Sequence, residues 1–254
     1  CSRREAEAWI AAGRVRVNGA LVETPATLVD ATSRIEVDGK PIPAKAPTRL
    51  FRFHKPAGLL TAERDPDGRP TLFSILPEDM PRVVTVGRLD LTTEGLLLLT
   101  TDGALARKME LPSSGFARKY RVRVYGKVEP ERLAALKNGI EIDGVKYGSI
   151  DAVLERDQEK ANSWISVTLR EGKNREIRKV MQALGLHVTR LIRVSFGPFQ
   201  LGQLDRGEVA EIPQRVLNDQ LGHLMGDAKK SVPRKPRRPT LTAPGKKPKS
   251  RRGA

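Results

Sequence analysis

The sequence predicts an α+β protein with a mixed, largely antiparallel sheet, preceded by a small α/β module and followed by a disordered basic tail. Strand candidates follow one another without the regular helical crossovers of a doubly wound parallel sheet. Asn18-Gly19, Asp38-Gly39 and Asp143-Gly144 each sit between short alternating runs, the pattern of tight hairpins. A proline-punctuated stretch, residues 41–50, divides a short first segment from a longer second one. The expected organisation is a module over residues 1–46, a main domain over 47–227 and a tail over 228–254.

In the module, Ser2 and Glu5 make a capping-box pattern. Ala6, Trp9 and Ile10 supply the apolar stripe of a helix that Gly13 stops. "VRVNGALV" and "IEVDGKPI" follow as two hairpins. Arg3, Arg4, Arg14 and Arg16 bracket the helix ends, so the unit has a basic edge that is either a binding surface or a solvated face. In the main domain, strands are expected at 49–54, 82–86, 118–126, 140–148, 163–169 and 187–196. Helices are expected at 103–110 behind the N-cap Asp102, at 130–137 with Pro130 in the first turn, and at 174–184 before Gly185.

Apolar residues make up 39% of the 254, enough for a packed core. No apolar stretch nears the roughly 20 residues of a membrane span and no signal peptide opens the chain, so the expected location is the cytoplasm, with no membrane partner. A single cysteine, Cys1, and three histidines argue against a disulfide framework and a structural zinc site. Opening on Cys1 rather than Met, the chain is expected to have lost part of its first helix. Of the net charge of +16, eleven Lys or Arg fall in residues 229–254 with no acid among them, leaving +5 elsewhere. That proline-rich tail cannot repay its ordering entropy. It suits a polyanion such as RNA or DNA, or serves only solubility.

Chemistry concentrates in three places. In "TVGRLDLTTEGLLLLTTDG", residues 85–103, Asp90 follows a strand and lies near Arg88. A carboxylate there suits a nucleophile or base, or it organises the "LTTEG" turn through its side chain. In "LREGKNREIRKVMQALG", Arg175, Arg178 and Lys179 share one helix face and Ile177, Val180, Met181 and Leu184 another. Such an arginine suits a buried carboxylate, a phosphate or plain solvent. Tyr120 alternates with Val122 and Val124 on one strand face, to stack on a base or to pack in a core. His54 has no second histidine near it and makes no metal site. The chain lacks a P-loop, a dinucleotide fingerprint, zinc spacing and a serine elbow, which counts against NTPases, dehydrogenases and serine hydrolases.

Taken in order, "HKPAGLLTAERDPDGRPTLFSILP", "VGRLDLTTEGLLLLTTDGALARKM", "RKYRVRV" and "EGKNREIRKVMQALGLHVTRLIR" resemble the four motifs of the pseudouridine synthases that modify ribosomal RNA. The resemblance spans about residues 50–205, and "GKNREIRKV" with "RLIRVSFGPF" looks most like the branch acting on the large subunit. Residues 2–40 are similar to the small RNA-binding module that precedes the catalytic domain in that branch. The resemblance implies the pseudouridine synthase fold, Asp90 as nucleophile, Arg178 paired with it and Tyr120 stacked on the uracil. Leu169 would line the pocket, Arg88 would fill the space left by a flipped-out base, and Lys55 would neutralise phosphate. Lys173 and Arg175 would bind substrate, and Arg3, Arg4, Arg14 and Arg16 would contact RNA. It implies no cofactor, no metal, ribosomal RNA as partner, the large subunit favoured, and a monomer. The rivals are a non-catalytic RNA-binding or assembly factor, and an RNA glycosidase or nuclease that joins Glu94 or Asp102 to Asp90.

Overall fold

The computed structural model describes residues 1–30, 32–43, 46–156 and 162–225. It contains two compact units that part after Thr48. The basic tail expected over 228–254 lies outside the described residues.

The first unit is a helix, α1 (Arg3–Ala11), and four short strands, β1 (Val15–Val17), β2 (Ala20–Leu21), β3 (Ile35–Val37) and β4 (Lys40–Pro41). They pair antiparallel in the order β2-β1-β3-β4. The Ser2 hydroxyl accepts the Glu5 N–H at 3.1 Å and the Glu5 carboxylate accepts the Ser2 N–H, so the capping box forms. Asn18 and Gly19 take φ 51° and 85°, Asp38 and Gly39 51° and 73°. Two successive left-handed residues give a turn whose twist matches the strands it joins.

The second unit runs β5 (Leu50–Lys55), β6 (Val84–Val86), β7 (Thr93–Thr100), α2 (Gly103–Glu110), β8 (Arg118–Tyr125), α3 (Pro130–Ala135), β9 (Ile140–Ile142), β10 (Val145–Tyr147) and β11 (Ile150–Arg156). It continues through β12 (Asn162–Leu169), α4 (Glu176–Ala183), β13 (His187–Phe196), β14 (Phe199–Gln200), β15 (Val209–Glu211) and α5 (Gln214–Met225). Its main sheet has the order β11-β12-β8-β13-β7-β5-β15, with β6 paired to β7 and β14 to β13. Every pair is antiparallel except β7 with β13. The mixed, largely antiparallel sheet expected from the sequence is the one observed.

β7 is central, and all eight of its residues are buried. Leu97 and Leu99 join the core under α3 and α4, while Leu96 and Leu98 join the opposite core with α2 and α5. A strand covered on both faces reads as an unbroken apolar run, which is why the run at 96–99 carries no strand alternation. Beyond the expected elements the structure adds β7, β11, β14, β15 and α5. Two expected helices are shorter. α4 starts at Glu176 rather than 174 because Arg175 has a left-handed φ of 52°. The α-helix of α3 ends at Ala135 and tightens into a 3₁₀ turn through Asn138 before Gly139.

One glycine permits the parallel pairing. Gly95, at φ 105°, faces Arg193 of β13, and a Cβ there would stand 2.3 Å from the Arg193 carbonyl oxygen. Gly95→Ala is expected to cost roughly 3–5 kcal/mol, from left-handed strain plus forced separation of two central strands. Urea unfolding measures this, and a loss below about 1 kcal/mol would contradict so close a contact between β7 and β13.

Candidate active site

A row across the main sheet sets the site's frame. Lys55 of β5 pairs with Gly95 of β7, Gly95 with Arg193 of β13, and Arg193 with Tyr120 of β8. Asp90 lies in the connection from β6 to β7, beside this row in sequence. Asp90, Tyr120, Leu169, Arg178 and Arg193 all line one cavity of about 510 Å³, a size suited to a small ligand or a single nucleotide base.

The Asp90 turn is held by its backbone. The Thr93 N–H donates to the Asp90 carbonyl at 3.0 Å, and the Gly58 N–H to the Leu91 carbonyl at 2.8 Å. Thr61 brackets Leu89, its hydroxyl donating to the carbonyl at 2.8 Å and accepting the N–H at 3.3 Å. Glu110 accepts the Gly87 N–H at 2.8 Å. The Asp90 carboxylate makes no hydrogen bond within the turn. It is 37% exposed, with Oδ2 3.5 Å from Arg175 Nη1. Of the two readings open in the sequence, the side-chain turn organiser is therefore excluded, and the carboxylate faces the cavity.

Lys55 requires a correction. The resemblance implies a place on phosphate; the structure buries it completely. Its Nζ lies 3.1, 3.2, 3.4 and 3.0 Å from the carbonyls of Pro56, Asp90, Leu91 and Thr93. Burial pulls the ammonium down to about 8, against the opposing pull of Asp90 and Glu94. Lys55 thus positions the Asp90 turn and cannot reach a phosphate.

Arg178 requires another. The resemblance implies that it pairs with Asp90; in the structure its Nη2 donates to Thr92 Oγ1 at 2.9 Å, and Arg175 holds the ion pair with Asp90. Burial lowers the Arg178 guanidinium, Arg175 adds to that, and the charge of Asp90 opposes it. Arg178 therefore feels Asp90 without bonding to it. Arg175 is the N-cap of α4, and its left-handed backbone directs the chain so that the guanidinium reaches Asp90. A non-glycine residue at such a φ is uncommon and concentrates at functional sites.

Tyr120 both packs and lines the cavity, being 9% exposed within the core cluster. Leu169 ends β12 at the cavity wall. Arg88 is exposed at the cavity and Lys173 reaches Glu171 at 2.7 Å and the Lys146 carbonyl at 2.6 Å. In the first unit, Arg3 and Arg4 are exposed on α1, whereas Arg14 forks onto Asp38 and Arg16 bonds the Gly19 carbonyl at 3.0 Å. These last two hold the hairpins. The carboxylates suggested as partners for Asp90 are engaged elsewhere. Glu94 is forked by Arg190 at 2.8 and 3.0 Å and paired with Arg206, while Asp102 caps α2. His54 Nδ1 lies 2.7 Å from the Leu204 carbonyl.

Three cavity residues escaped the sequence reading. Arg118, buried, donates to the Arg170 carbonyl at 2.7 Å and lies 4.8 Å from the Phe196 ring, with Arg193 5.2 Å from the same ring. Strand alternation puts Arg118 on the face of Tyr120, a signal available in "RKYRVRV". Glu176 is 3% exposed, and burial pushes its carboxyl up to about 7, aided by the like charge of Glu171. Six cations and the three carboxylates Asp90, Glu110 and Glu176 line the cavity, so it favours an anionic ligand chain.

Residues 49–183 match the RNA pseudouridylate synthase family, and residues 1–35 match the S4 domain. An RNA pseudouridine synthase of Rickettsia felis is 46% identical over 217 residues, covering 85% of this chain and 93% of that one. Ribosomal large subunit pseudouridine synthase B of Pseudomonas aeruginosa is 40% identical over 230 residues, covering 87% of this chain and 59% of that one. A crystal structure of a pseudouridylate synthase shares the fold, with a TM-score of 0.63 at 24% identity, over 87% of this chain and 94% of that one.

The geometry around α4 is open to two stability measurements. Arg175→Gly is expected to be more stable than Arg175→Ala by about 1 kcal/mol, because glycine adopts φ 52° without strain; paired thermal melts decide it, and equal stability would contradict the left-handed cap. Glu176 ionises near 7 when folded and near 4.5 when unfolded. The unfolded chain therefore releases that proton first, and stability falls as pH rises through this window. Glu176→Gln should gain stability relative to the parent between those pH values, as denaturant titrations at each pH would read.

Proposed function

The chain belongs to the RNA pseudouridylate synthase family, and we propose that Asp90 is the nucleophile with which it converts a uridine of large-subunit ribosomal RNA to pseudouridine. The observation that carries this reading is the Asp90 carboxylate, left out of its own turn and turned into a cavity beside Arg175 and Arg178. The name borne by the Pseudomonas relative supports the large subunit as target.

The Asp90 oxygen attacks either C6 of the uracil or C1′ of the ribose. Along either route the bond from C1′ to N1 breaks, the base turns, and a bond forms from C1′ to C5. The C5 proton leaves, N1 gains a proton, and the Asp90 oxygen is released. Substrate and product have the same atoms, so no oxidant or group donor enters. Covalent capture divides one difficult cleavage into easier steps. Tyr120 stacks on the uracil and takes part in removing the C5 proton. Leu169 forms the apolar wall opposite. Because a stacked base cannot enter such a cavity, the nucleotide is flipped out and Arg88 fills the gap. Lys173 and Arg175, exposed at the rim, meet the RNA strand, and Arg3 and Arg4 present the module to it. In this organisation residues 1–46 bind RNA, 47–227 catalyse, and 228–254 add phosphate affinity. The protein acts as a monomer in the cytoplasm.

Asp90→Asn is expected to abolish tritium release from ribosomal RNA labelled at uridine C5, with RNA affinity kept within about threefold, since phosphate contacts dominate binding. Pseudouridine mapping in cells carrying the same variant should lose a large-subunit site. Undiminished tritium release would overturn the role of Asp90.

A further inference from the structure

Strand alternation gives β8 a second face. Tyr120, Val122 and Val124 point into the core under α3 and α4, so Lys119, Arg121, Arg123 and Tyr125 point to the reverse side of the sheet. There α2 and α5 cover β5 and β7 and reach β13 at Ile192. Beyond that edge the reverse face is open. Lys119, Arg121 and Tyr125 are exposed, and Arg123 and Trp164 are half-buried. The strand register sets Arg190 of β13, Arg123 of β8 and Trp164 of β12 side by side in one row, with Tyr125 in the next. None of these residues lines the Asp90 cavity, which Tyr120 meets from the other side of the sheet.

Like charges set side by side on a strand cost stability, yet Lys119, Arg121 and Arg123 repeat at every second position and Arg123 stands directly opposite Arg190. Glu94 neutralises Arg190 at 2.8 and 3.0 Å, and Glu155 accepts from Arg121 at 2.8 Å. The side chains of Lys119 and Arg123 have no hydrogen-bond or ion-pair partner among the described residues. Their charge is left for a ligand or for solvent, and the neighbouring aromatic groups favour the ligand. The chain has three tyrosines and two tryptophans; Tyr120 and Tyr147 are buried, whereas Tyr125 is 56% exposed on this face. The Arg121 guanidinium lies 4.8 Å from the Trp164 ring centre. A guanidinium stacked on an indole presents its second plane to a further flat group.

We infer that the open face of β13, β8 and β12 binds a single-stranded segment of RNA, with bases stacked on Tyr125 and on the pair of Arg121 and Trp164, and phosphates on Lys119 and Arg123. Side chains two residues apart on a strand stand about 7 Å from each other, comparable to the step between phosphates of an extended nucleotide chain. Free cations beside flat groups fit a strand whose bases are unstacked; a duplex hides its base planes, and an acidic peptide has none. Stacking tolerates every base, so this face holds RNA without reading its sequence. The segment held here is not the one that delivers a uridine to Asp90, because the cavity opens on the other side of the sheet. It is a second contact, and it raises the affinity for a long RNA over a short one.

The face carries its own reporter, and the readout is binding, so the test stands apart from the reaction proposed for Asp90. In the full chain carrying Trp9→Phe, Trp164 is the sole tryptophan. The probe is a single-stranded oligoadenylate of about eight nucleotides, which holds no uridine for the cavity. The expected result is saturable quenching of Trp164 emission whose Kd rises with salt. Tyr125→Ala should raise that Kd about fivefold or more. Lys119→Ser combined with Arg123→Ser should raise it about tenfold or more and reduce the salt slope by about 1 to 2. Thermal melts check folding, and where a variant fails, Tyr125→Leu or Lys119→Gln with Arg123→Gln carries the same comparison. No quenching at saturating oligoadenylate would overturn the inference. So would a Kd and salt slope unmoved by the substitutions, or quenching by oligoglutamate in place of oligoadenylate.

Discussion

A buried ammonium governs the geometry of the site. Lys55 has no solvent contact, and its charge is balanced by four main-chain carbonyls, three of them from the segment Asp90 to Thr93. Moving a lone ammonium out of water costs several kcal/mol, and charge-assisted hydrogen bonds repay this only when the acceptors converge. Convergence forces the backbone of 90–93 to curl around Nζ. The turn is then closed by main-chain atoms, and the Asp90 side chain is left for other use. Lys55 is itself fixed by its place at the end of β5 opposite Gly95, so the sheet register is transmitted to the carboxylate through one side chain.

The same row explains the electrostatics. Gly95 lets β13 approach closely enough for Arg193 to enter the core, and Arg118 follows on β8. The hydrogen bonds that these guanidiniums make go to backbone carbonyls, Arg193 to Leu96 and Arg118 to Arg170. Carbonyl dipoles solvate a cation without cancelling its charge. The cavity therefore keeps a positive field suited to an RNA strand, while Asp90 stays poised within it.

Local rules made much of the fold legible. The three hairpins, α2 with its Asp102 cap and β13 from His187 to Phe196 stand where turn chemistry and periodicity put them. β7 did not announce itself, because burial on both faces erases alternation. Asp90 was visible as a candidate, but nothing in "RLDLTTEG" distinguishes a turn closed by a carboxylate from one closed by a carbonyl. The resemblance put Lys55 on phosphate, and only the fold reveals that the carbonyls meet around it. The ion pair with Asp90 falls to Arg175 rather than Arg178 because a left-handed residue at the start of α4 cannot be foreseen where the sequence offers Asn174 and an arginine.

Lys55 positions the Asp90 turn from a buried place that RNA does not reach; on this the rest of the site depends. Its most direct measurement is the kinetic split of Lys55→Met, with RNA affinity measured across a salt series and folding checked by thermal melting. The expected result is a folded variant whose kcat falls about 100-fold, because a small displacement of a reacting group has that effect, while RNA affinity and its salt slope stay unchanged. An unchanged kcat with weaker binding and a shallower salt slope would contradict it, and would return Lys55 to the phosphate.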